Sequence, residues 1–382
     1  MKPSIPLSLY IHIPWCERKC PYCDFNSHEN YSPNVEPLYV SALLNDLDQQ
    51  LDLVDGRPIS TIFFGGGTPS LFSATAIDQI LKGVRSRVSV DDNCEITLES
   101  NPGSAEAAKY KAYKEAGVNR LSIGVQSFDD VKLRHLGRIH SSDEAKAAID
   151  MAFSSGFERL NVDLMYGLEN QARSEAIADI ETALSFGVSH LSWYQLTIER
   201  NTAFWSKPPT LPDADVVEPW QERVRELLAR SDIHQYEVSA WSREGEESRH
   251  NLNYWRFGDY LAIGAGAHGK VSVDNCVYRF QRTRHPAHYL DEFGRSTKTS
   301  RINSLTAVPD EDIVGEFMMN ALRLRKGVPL KLLSERTGKA HGSISSTLKS
   351  LEARGLMVND IERLATTALG YRYLDSVVGS FF

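Results

Sequence analysis

Three thiols stand within eight residues near the start of the chain, in Cys16-Glu-Arg-Lys-Cys20-Pro-Tyr-Cys23. Thiolates hold iron–sulfur clusters, and three protein ligands on a four-iron cluster leave one iron open to a molecule from outside. Two other chemistries share these residue types. Zinc takes four ligands in a closed site and would recruit His28 as the fourth; a disulfide with one spare thiol is the third reading. The chain has five cysteines in 382 residues, and no segment reads as a signal peptide or a bilayer-spanning run. A reducing, cytoplasmic setting is therefore expected, where disulfides are rare. The spacing Cys-x3-Cys-x2-Cys also departs from the paired Cys-x2-Cys of zinc sites, so the cluster is favoured.

The elements that must carry these residues follow from periodicity. Short β-rich runs at Leu7–Ile13, Thr61–Phe64, Glu95–Glu99, Arg120–Val125, Leu160–Met165 and His190–Leu196 alternate with helical patterns. The helical stretches lie at Glu36–Leu53, Ala74–Arg87, Ala105–Ala116, Ser142–Ser155 and Arg173–Phe186. Six βα units imply a parallel sheet with right-handed crossovers, either doubly wound or an incomplete barrel. Gly117, Gly156 and Gly187 each follow a helical run and precede a strand, as helix-ending glycines do. With 42% hydrophobic and 24% charged residues the composition is that of a globular protein, long enough for a large α/β domain and a smaller one. A net charge of −8 gives no general attraction to nucleic acid or anionic membranes.

Chemistry-bearing residues recur at the ends of the predicted strands, where parallel α/β sheets and barrels place their ligands. The cysteines follow the first strand. Gly65-Gly-Gly67-Thr68-Pro69 follows the second, offering bare backbone for close approach. Glu99 closes the third in Glu-Ser-Asn-Pro, Gln126 the fourth in Gly-Val-Gln-Ser-Phe, and Asp163 lies in the fifth. Singly, each has a plainer reading as a tight turn, a helix cap or a buried ion pair. Together they predict one binding mouth.

The cysteine triad, the aromatic Tyr22 before its last member and the Gly-Gly-Thr-Pro turn resemble the radical S-adenosylmethionine superfamily. The resemblance implies a radical SAM partial (β/α)6 barrel with a C-terminal α+β winged-helix-like domain. It implies a 4Fe-4S cluster on Cys16, Cys20 and Cys23, whose free iron chelates S-adenosylmethionine and can split it to a deoxyadenosyl radical. Within the superfamily, Gly-Val-Gln126-Ser-Phe, Leu136-Gly-Arg138 and Asn161-Val-Asp163-Leu-Met-Tyr-Gly-Leu are similar to oxygen-independent coproporphyrinogen III oxidase and its relatives. On that resemblance Tyr10, Tyr22, Gly66, Gly67, Thr68 and Glu99 line the S-adenosylmethionine site. Gln126, Arg138 and Asp163 line an adjoining region where the oxidase holds a second S-adenosylmethionine. Arg138 is the natural partner of a carboxylate there.

Two departures point away from the oxidase: its pattern has a fourth cysteine where this chain has Phe25, and it extends further before its cluster. Both match the HemW-type heme chaperones. Their heme-binding signature is similar to His250-Asn-Leu-Asn-Tyr254-Trp255, where imidazole suits heme iron and the aromatics suit a porphyrin face. The plainer reading of His250 is a hydrogen-bonded structural histidine. The resemblance implies heme binding and transfer to acceptor proteins, membrane-associated respiratory proteins among the candidates, with porphyrinogen decarboxylation as the rival activity. S-adenosylmethionine cleavage is possible at such a site: the rival radical activity depends on it, and the chaperone reading leaves it open. His268, after Gly264-Ala-Gly-Ala, reads as a turn residue that could face the pocket, and His12 as a core residue. Cys94 and Cys276 read as free thiols.

The division expected is a core barrel over residues 1–235, a barrel extension with the histidine motif over 236–305, and a C-terminal lid or docking domain over 306–382. The break itself falls near Ser296–Pro309. Beyond it, helices are predicted at Asp310–Leu324, Val328–Arg336 and Gly342–Arg354, then a strand pair at Gly355–Val358 and Arg363–Gly370. That is a winged-helix order, with Ser343–Arg354 as a recognition helix if DNA were the ligand. From Ala307 to the end, ten Lys and Arg face nine Asp and Glu. Nucleic-acid readers carry a basic face, so nucleic acid is not an expected partner.

Overall fold

The computed structural model describes residues 5–294 and 305–382. The first six strands are β1 (Leu7–Ile13), β2 (Ile59–Gly66), β3 (Val90–Ser100), β4 (Arg120–Gln126), β5 (Arg159–Tyr166) and β6 (His190–Gln195). They lie side by side in chain order, each parallel to the next. A doubly wound sheet reverses its order at a switch point; this sheet does not, and it is the partial barrel. Further strands extend both edges. Beyond β6 come β7 (His234–Glu237) and β8 (Ala240–Ser242). Beyond β1 come β9 (Asp259–Ile263), parallel to it, then β10 (His268–Val273), β11 (Cys276–Gln281) and β12 (Thr306–Ala307).

Alternation explains the layering. In β1, Leu7, Leu9, Ile11 and Ile13 are fully buried in the main apolar core. The intervening Ser8, Tyr10 and His12 face the barrel interior with the polar residues of neighbouring strands. Period-two patterning thus gives an apolar outer face for the helices and a polar lumen. Helix ends are set locally. Ser141 and Glu144 form a reciprocal capping box at helix Ser142–Ser154. Gly117, Gly156 and Gly187 take φ of 111°, 85° and 75° after their helices, a conformation open to glycine at no steric cost.

Several boundaries differ from the sequence reading. The helical stretch at 105–116 is two helices, Ser104–Ala107 and Tyr110–Ala116, and that at 36–53 ends at Asp48 with a separate 3-10 turn at Leu51–Leu53. The expected break near Ser296–Pro309 lies mostly outside the described residues. The three acids Asp310, Glu311 and Asp312 precede helix Ile313–Ala321 rather than forming its first turn. Val328–Pro329 is a strand, β13, because proline breaks the helix there and the next helix starts only at Lys331. Its partner is β14 (Arg363–Leu364). The predicted strand pair shrinks to a single bridge, Met357 to Thr366, and from Ala368 the chain is helical, capped by Thr367. This C-terminal part has its own apolar core, which also takes in Phe257 and Val277 from the sheet side.

Candidate functional site

The loop after β1 carries the three thiols and is pinned to the strip after β2. The backbone N–H groups of Gly67 and Thr68 donate to the carbonyls of Ile13 (2.8 Å) and Trp15 (2.7 Å). A side chain at Gly67 would bring its Cβ to 2.5 Å of the Trp15 carbonyl oxygen, so only glycine allows this approach. The strip therefore fixes the thiol loop against the open end of the barrel. Thr68 Oγ1 donates to Cys16 Sγ (3.4 Å) and Arg138 Nη1 to Cys20 Sγ (3.5 Å). Burial pushes the Cys16 and Cys23 thiols up, with Thr68 and the Phe25 backbone opposing it.

These groups line a cavity of about 560 Å³ in the barrel's mouth and lumen. Cys16, Cys20, Cys23, Tyr10, Tyr22, Gly66, Gly67, Thr68, Glu99, Gln126, Arg138, Asp163 and His250 all border it. Arg138 Nη2 donates to Asn101 Oδ1 (2.7 Å) and the Gly124 carbonyl (2.8 Å), while its buried Nε has no partner among the described residues. Among the described residues Glu99 accepts only the Gly66 N–H (3.3 Å). Burial, then Asp163, push its carboxyl up to about 8. Asp163 is also raised by burial, although Asn161 and Ser122 donate to it at 2.8 and 3.0 Å. Gln126 holds a left-handed backbone at φ 72° where β4 ends. Asn101 and Arg120 are among the lining residues that escaped the sequence reading. Asn101 was legible as the third residue of Glu-Ser-Asn-Pro. Arg120, 3% exposed in the lumen, was legible only as the first residue of a strand whose inward register was unknown.

Among the described residues no three His, Cys, Asp or Glu side chains converge as around a single metal ion. The His28 ring packs edge-on against His285 (5.3 Å) and does not border the cavity, so it makes no closed zinc site with the thiols. A cubane spaces its thiolates wider than one ion does, and its sulfur ligands accept hydrogen bonds such as those from Thr68 and Arg138. The donor set fits the cluster.

The histidine motif forms helix Arg249–Trp255, which closes the opposite end of the lumen. The His250 N–H donates to Glu95 Oε1 (3.1 Å), and its ring lies 5.0 Å from Phe63. Both ring nitrogens are engaged, Nδ1 with Thr61 Oγ1 (2.8 Å) and Nε2 with Tyr254 Oη (2.7 Å). Burial, then Arg120, push the imidazole down to about 3, so it is neutral but offers no free lone pair. The expected heme contact from His250 meets this obstacle: the side chain is 1% exposed and plugs the barrel.

The motif's aromatic half faces elsewhere. Tyr254 and Trp255 border a second chamber, also about 560 Å³, between the β9–β11 edge and helix Ile313–Ala321. Tyr10, Phe25, Glu99 and Tyr254 border both chambers.

The model of the radical SAM superfamily matches residues 10–183, and that of the HemN C-terminal domain residues 308–373. The heme chaperone HemW of Escherichia coli K12 is 45% identical over 98% of each chain, and that of Haemophilus influenzae 44% identical over the same shares. The chain belongs to the HemW family of the radical SAM superfamily. Bacillus subtilis HemW, 34% identical over 98% of each chain, shows how widely this family resemblance runs. The solved structure of E. coli coproporphyrinogen III oxidase (HemN) shares the fold at TM-score 0.80, 21% identity, 99% of this chain and 90% of that one. No helix among the described residues of this HemW-family chain is long and apolar enough to cross a membrane.

Proposed function

We propose that this chain binds heme and passes it to an acceptor protein, carrying a 4Fe-4S cluster and S-adenosylmethionine in the barrel. The single observation that carries the reading is the near-full-length identity to proteins named heme chaperones. Cys16, Cys20 and Cys23 hold the cluster, and Thr68 and Arg138 donate to two of the sulfurs. Tyr10, Tyr22, Gly66, Gly67, Thr68 and Glu99 surround the open side, with Gln126, Arg138 and Asp163 deeper in. When bound, the cluster supplies an electron and an open iron for S-adenosylmethionine. Arg138 is positioned to meet a carboxylate, and Glu99, short of donors, to accept from an ammonium. The narrow, polar lumen closed by helix Arg249–Trp255 excludes bulk water from that end. Residues 1–235 form the cluster-bearing barrel, 236–305 its extension and 306–382 a docking or lid domain. The setting is the cytoplasm, and the acceptors are heme proteins, with membrane-associated respiratory proteins as candidates.

The test is one anaerobic, cluster-reconstituted preparation assayed in parallel for heme transfer to apoproteins and for decarboxylation of coproporphyrinogen. Heme uptake and transfer without porphyrinogen turnover is the expected result. Robust decarboxylation with no heme uptake overturns the reading in favour of the oxidase.

A further inference from the structure

The chamber between the β9–β11 edge and helix Ile313–Ala321 brings together segments from three distant parts of the chain. Its flat surfaces are Tyr254, Trp255, Tyr260 and Phe25, the last 61% exposed at the rim. Met319, 47% exposed, adds a thioether from the C-terminal side. Its volume is in the range that holds cofactor-sized ligands. The aromatic walls suit a porphyrin face, and the basic side chains set among them suit its carboxylates.

Two histidines border this chamber, and they differ in availability. His12 spends Nδ1 on Tyr10 Oη (3.1 Å) and Nε2 on the Asn26 carbonyl (2.8 Å). His268 is exposed at the start of β10, and among the described residues no hydrogen bond or ion pair engages its ring. The cations divide in the same way. Arg279 is held by Glu316 (2.8 Å) and Lys270 by Asp259 (3.1 Å), whereas Arg284 has no side-chain hydrogen bond or ion pair among the described residues.

We propose that heme is seated in this chamber, with His268 as axial ligand and Arg284 as partner of a propionate. The inference rests on the heme-binding reading above and names its site. Asn26 makes the seat rigid: its Nδ2 donates to the carbonyls of Ala265 (2.9 Å) and Arg284 (2.8 Å). One side chain, three residues beyond Cys23, thus fixes the turn before His268 and the backbone of Arg284 together. Gly266 is part of the clamp, since a Cβ there would lie 2.2 Å from Asn26 Nδ2. Burial, then Arg284 and Arg279, lower the His268 pKa, which favours the neutral imidazole that metals bind. His250 acts here through Tyr254, orienting one wall, and is a positioning residue.

The test titrates ferric heme into the full chain, His268→Ala and His250→Ala, reading the Soret band, affinity and circular dichroism, with cluster iron per chain measured separately. His268→Ala is expected to lose the imidazole-ligated spectrum and bind at least about tenfold more weakly, while keeping its fold and its cluster iron. Added imidazole should restore that spectrum, as loss of packing alone would not. His250→Ala, where it folds, should keep the ligated spectrum. An unchanged Soret band and affinity in His268→Ala, with the parent chain binding heme, overturns the seat and leaves the function standing. No heme uptake by the parent chain overturns the function itself.

Discussion

The two chambers share a wall but are built on opposite plans. In the lumen, side chains from consecutive strands meet and mostly satisfy one another, as Asn161, Ser122 and Asp163 do at 2.7 to 3.0 Å. In the seam, the His268 and Arg284 side chains have no hydrogen bond or ion pair among the described residues and stand beside aromatic walls. A lumen of mutually bonded groups is preorganised for ligands that must be held and kept dry. A chamber with an open ligand and a half-apolar rim is suited to a cargo that enters and leaves. The contrast separates what this chain retains from what it transfers.

The largest effect that could break this division lies in the thiol loop. Serine at Cys16, Cys20 or Cys23 should each abolish the cluster, measured as iron per chain, whereas Cys94→Ser should keep it; a full iron load in all three would remove the lumen's assigned role. A smaller effect concerns Glu99. Its folded carboxyl titrates near 8 against an ordinary 4.5, so between those values the folded chain holds a proton that the unfolded chain has lost. Stability of the cluster-free protein therefore falls as pH rises through that window. Glu99→Gln should stabilise it at pH about 8 by on the order of 1–2 kcal/mol, discounted for partial solvent access, with no difference near pH 4. Urea unfolding at both values checks this, and a gain independent of pH would refute the carboxyl's role. The smallest effect sits in the seam. Glu316→Gln breaks the pair with Arg279, which is 37% exposed on the arginine side, and should cost about 0.5–1 kcal/mol in thermal unfolding without loss of heme binding. Loss of binding there would show that Arg279 and Glu316 shape the seat.

Much of the lumen was legible because its parts are local. The thiol spacing, the glycine strip and the polar residue closing each strand lie in short stretches, and the strand-end rule gathers them without tertiary information. Arg120 escaped because inward register is not written in a strand whose two faces are both buried, whereas Asn101, one residue past the end of β3, stood in the open within Glu-Ser-Asn-Pro. The C-terminal strand pair was misplaced for a related reason. A two-residue strand carries too little periodicity to choose between partners, and Val328–Pro329 won Arg363–Leu364 by packing.

The histidine motif marks the limit of sequence reading. Its residue types announced a heme contact, but Thr61, the partner that occupies the Nδ1 of His250, is 189 residues away. The sequence by itself determined the thiol loop, the six alternating units and the polar strand ends, because each is encoded within a few residues by spacing and alternation. The strand order chose the partial barrel that periodicity had left open beside a doubly wound sheet, and only the tertiary structure decided that His250 is a plug and that His268 meets Trp255 and Met319 in one chamber. Those outcomes depend on which distant surfaces bury one another, and burial is a property of the packed chain.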